Sequence, residues 1–287
     1  MTHTPISASA LSLAALLVPA SAGITFGPLR AKPGESVRLV THSETHGGTI
    51  EKTLDGKTSR GTIEITRDRE LIWTFRQPAS DGTLRGMVRV TKTTASTKTV
   101  INRKPENLNE VSPLTGKMFA MSKPPKGEWS FQLDGSVPRM ETEAEIESMK
   151  VYLKRDWYPS HEVELGDSWE FDPVWIKMII ERDLDKAQTI GTMSLRQIRS
   201  SATTQTAVID IAIHSSGGDF HKDGSLIKAS VELSGQVVVN LGTMLDESLT
   251  LKGTITTTSD RVSEVTKTTL PLSLVATKSF VRDTALP

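Results

Sequence analysis

The chain has 287 residues, with 34 Lys and Arg against 34 Asp and Glu, so its formal net charge is zero. This balance argues against a nucleic-acid partner, because proteins that bind nucleic acid normally carry a basic excess or a basic stripe. The sequence contains no cysteine, which excludes disulfides and lipid anchors attached through a thiol. A chain of this length can bury a core large enough to fold without such cross-links.

The first 22 residues resemble a secretory signal peptide. The apolar stretch Ala10–Ala20 leads directly into a small-residue sequence that ends at Ala22, and it is shorter than the roughly 20 apolar residues that cross a bilayer. The segment Met1–Ser9 departs from the usual pattern because it carries no Lys or Arg. We predict cleavage after Ala22 and export to the periplasm or the extracellular space. The alternative is an N-terminus that is kept, either disordered or buried in the core.

Most of the remaining chain alternates apolar and polar residues with a period of two, which predicts half-buried antiparallel strands. Before the middle of the chain this pattern covers Ser36–Ser43, Gly61–Thr66, Glu70–Phe75, Leu84–Thr94, Lys98–Arg103 and Trp129–Leu133. After the middle it covers Ile190–Ile198, Gln205–His214, Leu226–Leu241, Glu247–Thr258 and Val262–Lys278. Gly61, Gly86 and Gly253 each precede an alternating run, and glycines at such positions predict a bend or a bulge. We therefore expect a strongly curved sheet.

One helix is predicted between the two groups of strands, from Met140 to Trp157. Acidic residues near its start and basic residues near its end match the helix dipole. Its apolar face carries Ile146, Met149, Leu153 and Trp157. It should end before Pro159, because the residue that precedes a proline is pushed out of the helical region. A second helix is predicted from Asp172 to about Leu184, with a buried strand over 174–180 as the alternative.

These elements predict a mainly β fold with a half-barrel-like antiparallel sheet and one or two central helices. After the signal peptide (1–22), we expect a single β-rich domain (23–287). Its parts are an N-terminal β lobe (23–138), a central helical segment (139–186) and a C-terminal β lobe (187–287). No later stretch is apolar enough to predict a membrane-spanning helix.

The sequence Gly166-Asp167-Ser168 resembles a block in a family of secreted lipases and esterases, in which the serine is the nucleophile. That family also needs an Asp-x-x-His motif near the C-terminus, and here no histidine follows His221. A serine without a base in reach is not activated. We therefore predict a turn followed by a strand at Ser168–Phe171. We predict no catalytic residue and a non-enzymatic protein.

The segment Asp219–Gly224 partly fits a calcium-binding loop, with oxygen ligands at positions 1 and 5 and glycine at position 6. Position 3 is His221 and position 12 is Ser230, where the loop requires a bidentate glutamate. His214 and His221 with scattered carboxylates are too few to indicate a transition metal. We predict a polar hairpin loop here, and neither a metal nor a cofactor.

Most aromatic residues fall between Phe119 and Trp175. We predict that Trp157, Tyr158, Trp169 and Trp175 line a ligand site in the concave face of the sheet, with packing of the helix against the sheet as the alternative. The leading hypothesis is a non-enzymatic envelope protein that binds an apolar or amphiphilic small molecule. The alternative is a structural or protein-interaction module that docks an envelope partner without a small-molecule ligand.

The middle of the chain resembles a family of exported bacterial proteins of unknown function. The resemblance lies in the predicted helix, Trp157-Tyr158-Pro159, Gly166-Asp167-Ser168-Trp169 and the strand that ends at Ala207–Ile211. The pattern of that family is a helix, a Leu-Pro element, a Gly-Asp-x-Trp turn and long antiparallel strands, and Tyr158-Pro159 departs from the Leu-Pro. The resemblance covers residues 140 to 260 and implies an exported β-rich fold with no assigned activity. The plan of strands and helix is also similar to half-barrel lipid and lipoprotein carriers of the bacterial envelope, at the level of the fold alone.

Overall fold

A computed structural model describes residues 23–135, 139–172, 188–220, 225–261 and 263–281. The strands before the middle are β1 Ser36–Leu54, β2 Lys57–Arg76, β3 Leu84–Ile101, β4 Lys104–Val111, β5 Met118–Lys123 and β6 Ser130–Leu133. The helix α1, Arg139–Lys154, and the strands β7 Ser168–Phe171, β8 Gln188–Ser200, β9 Gln205–Phe220, β10 Leu226–Asn240, β11 Leu245–Arg261 and β12 Glu264–Val281 follow. The predicted mainly β fold is confirmed. The second predicted helix, after Asp172, lies outside the described residues.

All twelve strands belong to one antiparallel sheet. Its order is β6-β5-β3-β2-β1-β12-β11-β10-β9-β8-β7, and β4 pairs with β3 beside β5. The strands before and after the helix meet where β1 pairs with β12, so the two predicted β lobes form one continuous layer. The order is open, with β6 and β7 at opposite ends. The helix in the described ranges is not long and apolar enough to cross a membrane.

Two hairpins turn through residues with positive φ. Asp55 and Gly56 (φ 48° and 75°) connect β1 to β2, and Asn102 and Arg103 (φ 52° and 64°) connect β3 to β4. Two consecutive residues with positive φ match the right-handed twist of the flanking strands. The predicted strand Lys98–Arg103 is therefore wrong at its end, because the chain reverses at Asn102.

One face of the sheet is buried and is called the inner face here. On β1, Val37 and Leu39 are buried while Arg38 between them is exposed, and on β2, Leu71 and Trp73 are buried. These residues are cross-strand neighbours, since Leu39 pairs with Leu71 and Val37 with Trp73. Because side chains alternate between the two faces of a strand, every second residue of β1 and β2 faces the core, and these residues are apolar.

The helix α1 covers the inner face and is shorter than predicted. Met149 is fully buried in the core, as the predicted apolar face requires. The helix ends at Lys154, because the next residue, Arg155, has φ 56° and leaves the right-handed helical region. Trp157 therefore lies in the turn after the helix, where it is still buried, at 8% exposure.

The curvature of the sheet is supported by glycines in two central strands. A Cβ on Gly235 would lie 1.7 Å from the carbonyl oxygen of Thr250, and a Cβ on Gly253 would lie 1.8 Å from that of Glu232. The backbones of β10 and β11 approach so closely that only glycine fits at these points. The register of β1 against β2 shifts at Thr45–Gly48. The predicted glycines Gly61, Gly86 and Gly253 lie at points of close backbone approach and not at register shifts.

The residues directly after the predicted cleavage site belong to the core. Ile24 exchanges two backbone hydrogen bonds with Val163, of 2.8 and 2.9 Å. Ile24 and Phe26 are buried. The ring of Phe26 stacks on Tyr158 with 4.5 Å between centroids. The chain from Ile24 onward is thus fixed against the turn that follows α1.

Candidate functional site

A cavity of about 720 Å³ lies on the inner face, beside α1. Its lining residues come from β1, β2, β3, β4, β11 and β12 and from the helix. This volume is within the range of small-molecule sites, roughly 300–1,000 Å³. It is called the main cavity below.

One side of the main cavity is apolar. Leu249 on β11 and Leu274 and Ala276 on β12 line it together with Tyr152 of α1. Leu249 pairs directly with Ala276 across the two strands, and Leu274 and Ala276 are 7% and 6% exposed. These side chains form a continuous hydrocarbon surface.

The opposite side of the main cavity is polar and is organised by Arg69. Its Nη1 donates a 3.1 Å hydrogen bond to Ser148 Oγ, and its Nη2 donates to Glu145 Oε1. Burial lowers the pKa of Arg69, but the charge and hydrogen bond of Glu145 and the nearby Tyr152 together outweigh this effect, and the pKa is raised above its ordinary value. The guanidinium therefore stays charged and connects β2 to α1.

Three polar atoms of residues that border the main cavity make no hydrogen bond. They are Thr41 Oγ1, Arg69 Nε and Glu141 Oε2, and each is buried. A buried polar atom without a partner costs roughly 1–3 kcal/mol, so its position calls for a physical explanation. Each of these atoms is closed off from solvent, so they lie beneath the wall of the main cavity and do not face its space.

Three of the four predicted ligand-lining aromatic residues are brought together, near the main cavity but outside its lining. Trp157 and Tyr158 line a cavity of only about 50 Å³, and Trp169 Nε1 donates a 2.9 Å hydrogen bond to the Trp157 carbonyl. Trp175 lies outside the described residues. Tyr152 lines both this small cavity and the main cavity, so the aromatic cluster lies behind the main cavity. Ligand contact by these residues stays a prediction.

Tyr158 also borders a second open cavity of about 440 Å³. The lining of this cavity includes Trp129 and three lysines, Lys123, Lys150 and Lys154. Lys154 lies 3.6 Å from Glu128, and both side chains are exposed. This site is polar and basic, unlike the apolar side of the main cavity.

A buried ionic cluster connects the end of α1 to the sheet. Asp246 Oδ1 accepts hydrogen bonds from Arg155 Nη2 at 2.6 Å and Tyr158 Oη at 2.8 Å, and Oδ2 accepts one from Lys278 Nζ at 3.2 Å. Arg155 also donates to the carbonyl oxygens of Gly27, at 3.2 Å, and Met244. Burial and the Asp246 charge raise the pKa of Tyr158 well above its ordinary value, so the phenol stays protonated and donates.

The sequence that resembles a lipase block forms the predicted turn and strand. Gly166 has φ 95°, and Asp167 Oδ2 accepts a 2.8 Å hydrogen bond from the Glu164 amide. Ser168 begins β7, and its hydroxyl lies 2.6 Å from that of Ser194. These contacts are those of a turn that leads into an edge of the sheet.

A metal site needs several ligand side chains close together. Within the ranges that the structure describes, no set of three or more His, Cys, Asp or Glu side chains is arranged to hold a metal ion. The candidate calcium loop Asp219–Gly224 lies outside the described residues from His221 onward. The predicted absence of a metal and of an enzymatic activity stays a prediction.

The residues of the main cavity are not among the site residues that the sequence predicts. Arg69 lies between two predicted strands that are one strand, β2, in the structure. Continuing the alternation back from Leu71 places Arg69 and Arg67 on the apolar face. Charged residues at positions where the alternation predicts buried apolar side chains are the signal in the sequence that indicates a polar site on the inner face.

Comparison with known proteins assigns no family. No family model and no curated protein matches the chain. Pseudomonas aeruginosa OccK7 (OpdD) aligns at 6% identity and a TM-score of 0.28, over 86% of this chain and 100% of that one. An outer membrane channel from Pseudomonas putida F1 aligns at 8% identity and a TM-score of 0.23, over 88% and 97% of the two chains. A β-barrel-like protein of a domain of unknown function from Brucella abortus aligns at 12% identity and a TM-score of 0.18, over 85% and 99%. At these scores, the resemblance to an exported bacterial family stays a prediction.

Proposed function

We propose that this chain is an exported, non-enzymatic protein that binds an apolar or amphiphilic small molecule on the inner face of its sheet. The observation that supports the proposal is the main cavity, about 720 Å³ in volume, with an apolar side and a polar side. Export is supported by the signal-like segment that ends at Ala22.

The two sides of the cavity favour a ligand with an alkyl chain and a polar head. Each methylene group buried on Leu249, Leu274 and Ala276 contributes about 0.8 kcal/mol. A chain of about ten methylenes therefore contributes at most about 8 kcal/mol before the entropy lost on association is subtracted. Micromolar binding corresponds to about 8 kcal/mol, so dissociation constants in the micromolar range or weaker are expected.

The proposal is tested by filling the cavity. Ala95 lines the main cavity on β3, and Ala95→Trp puts an indole into the ligand space. We expect it to weaken binding of the fluorescent apolar probe N-phenyl-1-naphthylamine at least about tenfold, a loss of about 1.4 kcal/mol. Ala120→Trp is the matched control, because Ala120 is exposed on β5 of the same sheet. Fluorescence titration gives both dissociation constants.

A second variant separates the two large cavities. Ser160 is exposed and lines the 440 Å³ cavity, so Ser160→Trp should leave probe binding unchanged. Loss of binding in Ser160→Trp with full binding in Ala95→Trp would move the ligand to the basic cavity. Native mass spectrometry of the purified protein then shows whether a lipid is carried along. Unchanged binding in both variants would contradict the proposal.

One observation favours the alternative, a module that docks a partner protein. All eight residues of β4 are exposed, including Leu108 and Val111. In the described part of the chain β4 pairs with β3 along one edge, and a strand exposed in this way is a template for an added strand from another protein. Absence of any bound lipid or probe would make this docking role the better explanation.

A further inference from the structure

We infer that the free edge of β4 is an interface between two copies of this chain, in which the two β4 strands pair antiparallel about a two-fold axis at Asn107. The inference goes beyond ligand binding and does not depend on it. It is carried by the direction of the β4 backbone groups and by the charges that the two-fold axis brings opposite each other.

The backbone of β4 has one edge that is paired and one that is free. The Ser112 amide donates a 3.0 Å hydrogen bond to the Thr93 carbonyl oxygen, so every second residue from there back to Lys104 forms a hydrogen-bonded pair with β3. Among the described residues, β4 pairs with β3 alone. The backbone groups that point to the free edge belong to the residues in between, which are Pro105, Asn107, Asn109 and Val111.

This alternation limits how a second copy of β4 can be added. Hydrogen bonds across the free edges form only where two residues of the free set face each other. Near the middle of the strand, an antiparallel two-fold arrangement meets this condition with the axis at Asn107 or at Leu108. The backbone permits both arrangements, so the side chains decide between them.

The charges on β4 favour the axis at Asn107. It places Lys104 directly opposite Glu110 of the second copy, and symmetry repeats this pair at the other end. The axis at Leu108 would instead place Glu106 opposite Glu110 at both ends. Unlike charges directly opposite each other stabilise a strand pair, and like charges destabilise it.

The same arrangement covers an exposed apolar side chain. Leu108 is 56% exposed in the single chain. With the axis at Asn107, the two copies of Leu108 lie diagonally across the strand pair, a separation that long side chains can bridge. Their contact removes apolar surface from water, which favours association.

The dimer is expected to be weak. Each copy contributes one strand of eight residues, and stable complexes bury at least about 1,200 Å². Pro105 has no N–H, so one backbone hydrogen bond is missing in each copy. We therefore expect a dissociation constant between about 1 μM and 1 mM.

Charge reversal tests the pairing of Lys104 with Glu110. Lys104→Glu and Glu110→Lys each place like charges opposite each other twice, so each should raise the dissociation constant of the full mature chain at least about tenfold, as measured by sedimentation equilibrium. The double variant restores unlike charges and should return the constant to within about threefold of the wild type. Lys228→Glu is the control, because Lys228 is exposed on β10, and it should leave dimerisation unchanged.

Single cysteines test the position of the axis. The chain contains no cysteine, so one introduced cysteine forms disulfides only between copies. In Asn107→Cys the two Cα atoms would lie roughly 5.5 Å apart, within the range that a disulfide spans. In Leu108→Cys they would lie about 7–8 Å apart, so we expect at least about tenfold less oxidised dimer at equal protein concentration.

Each other outcome overturns the inference. Dimers that cross-link better through Leu108→Cys would place the axis at Leu108. Charge-reversal variants that associate like the wild type, or a double variant that stays as weak as the single ones, would show that β4 is not the interface. A wild-type chain that remains monomeric at 1 mM would leave the edge to a strand of a different protein.

Discussion

Arg155 combines two features that are each unusual. Its φ of 56° is costly for a residue with a Cβ, and its guanidinium is buried, with a side chain 5% exposed. The side chain reaches the Asp246 carboxylate and the carbonyl of Gly27, which are far apart in sequence. The residue at which α1 ends is therefore also the residue that connects the N-terminal segment and β11 to the helix. Composition and periodicity do not reveal this role, because it depends on which distant residues meet at one place.

Removing Asp246 should be strongly destabilising. Asp246→Ala leaves the buried Arg155 and the half-buried Lys278 without their counter-charge, and breaking a buried ion pair costs about 3–5 kcal/mol. Glu51→Ala is the control, because Glu51 forms an exposed ion pair with Arg60 at 2.8 Å, which is worth less than about 1 kcal/mol. Urea unfolding gives both free energies. Similar losses in the two variants would contradict the importance of the buried cluster.

The same residue predicts an acid dependence. Burial alone raises the pKa of Asp246, but the charges of Lys278 and Arg155 outweigh it, and the pKa lies below its ordinary value of 3.8. Its stabilising contribution is therefore complete above the unfolded-state pKa and is lost as the pH falls through the folded-state pKa. The stability difference between the wild type and Asp246→Asn should shrink below about pH 4.

At the scale of elements, the sequence predicts best where a strand has one buried face. β1, β2 and β10 were indicated by their alternation, because their inner residues are apolar. β4 was missed because its eight residues are all exposed, so no apolar set marks a face. The end of α1 was placed three residues late, since Trp157 continues the apolar spacing although Arg155 has already left the helix.

Trp157 is expected to behave as a core residue. It is 8% exposed, so Trp157→Ala should cost about 3–5 kcal/mol, as for other large aromatic side chains removed from cores. Trp129, which is only half-buried, is the matched control, and Trp129→Ala should cost less than about 2 kcal/mol. Denaturation followed by circular dichroism measures both. If Trp157→Ala costs no more than Trp129→Ala but weakens probe binding, Trp157 belongs to the ligand site.

At the scale of the whole molecule, the curved sheet was predictable and its cavity was not. Curvature follows from long alternating strands with glycines such as Gly253, where β10 and β11 touch. The main cavity depends on Thr41 facing Ala276, a pairing between the first and the last strand. Nothing local in either segment indicates that pairing. The charged residues that border the cavity are likewise brought together by the pairing of the strands. In a single sequence they are marked only by falling on the apolar positions of the alternation.

The chain is predicted to be processed at its N-terminus. When it is expressed in a Gram-negative host, the mature protein should begin at Gly23 and be recovered outside the cytoplasm, because the leader ends in a small-residue cleavage sequence. N-terminal sequencing of the periplasmic and extracellular fractions checks this. Ala22→Arg should block cleavage and leave a longer chain as the control. An intact Met1 in the wild-type protein outside the cytoplasm would contradict the prediction.

The pairing of β1 with β12 has a consequence for how the chain folds as it leaves a ribosome or a translocation pore. β1 emerges early, but one of its two edges has no partner until β12, near the C-terminus, has followed. The docking site of Ile24 and Gly27, at Val163 and Arg155, also emerges late. An open strand edge is prone to aggregate while it waits. Slow passage of the chain should therefore prolong the period in which a holding chaperone is most useful, and folding should finish when β12 pairs with β1.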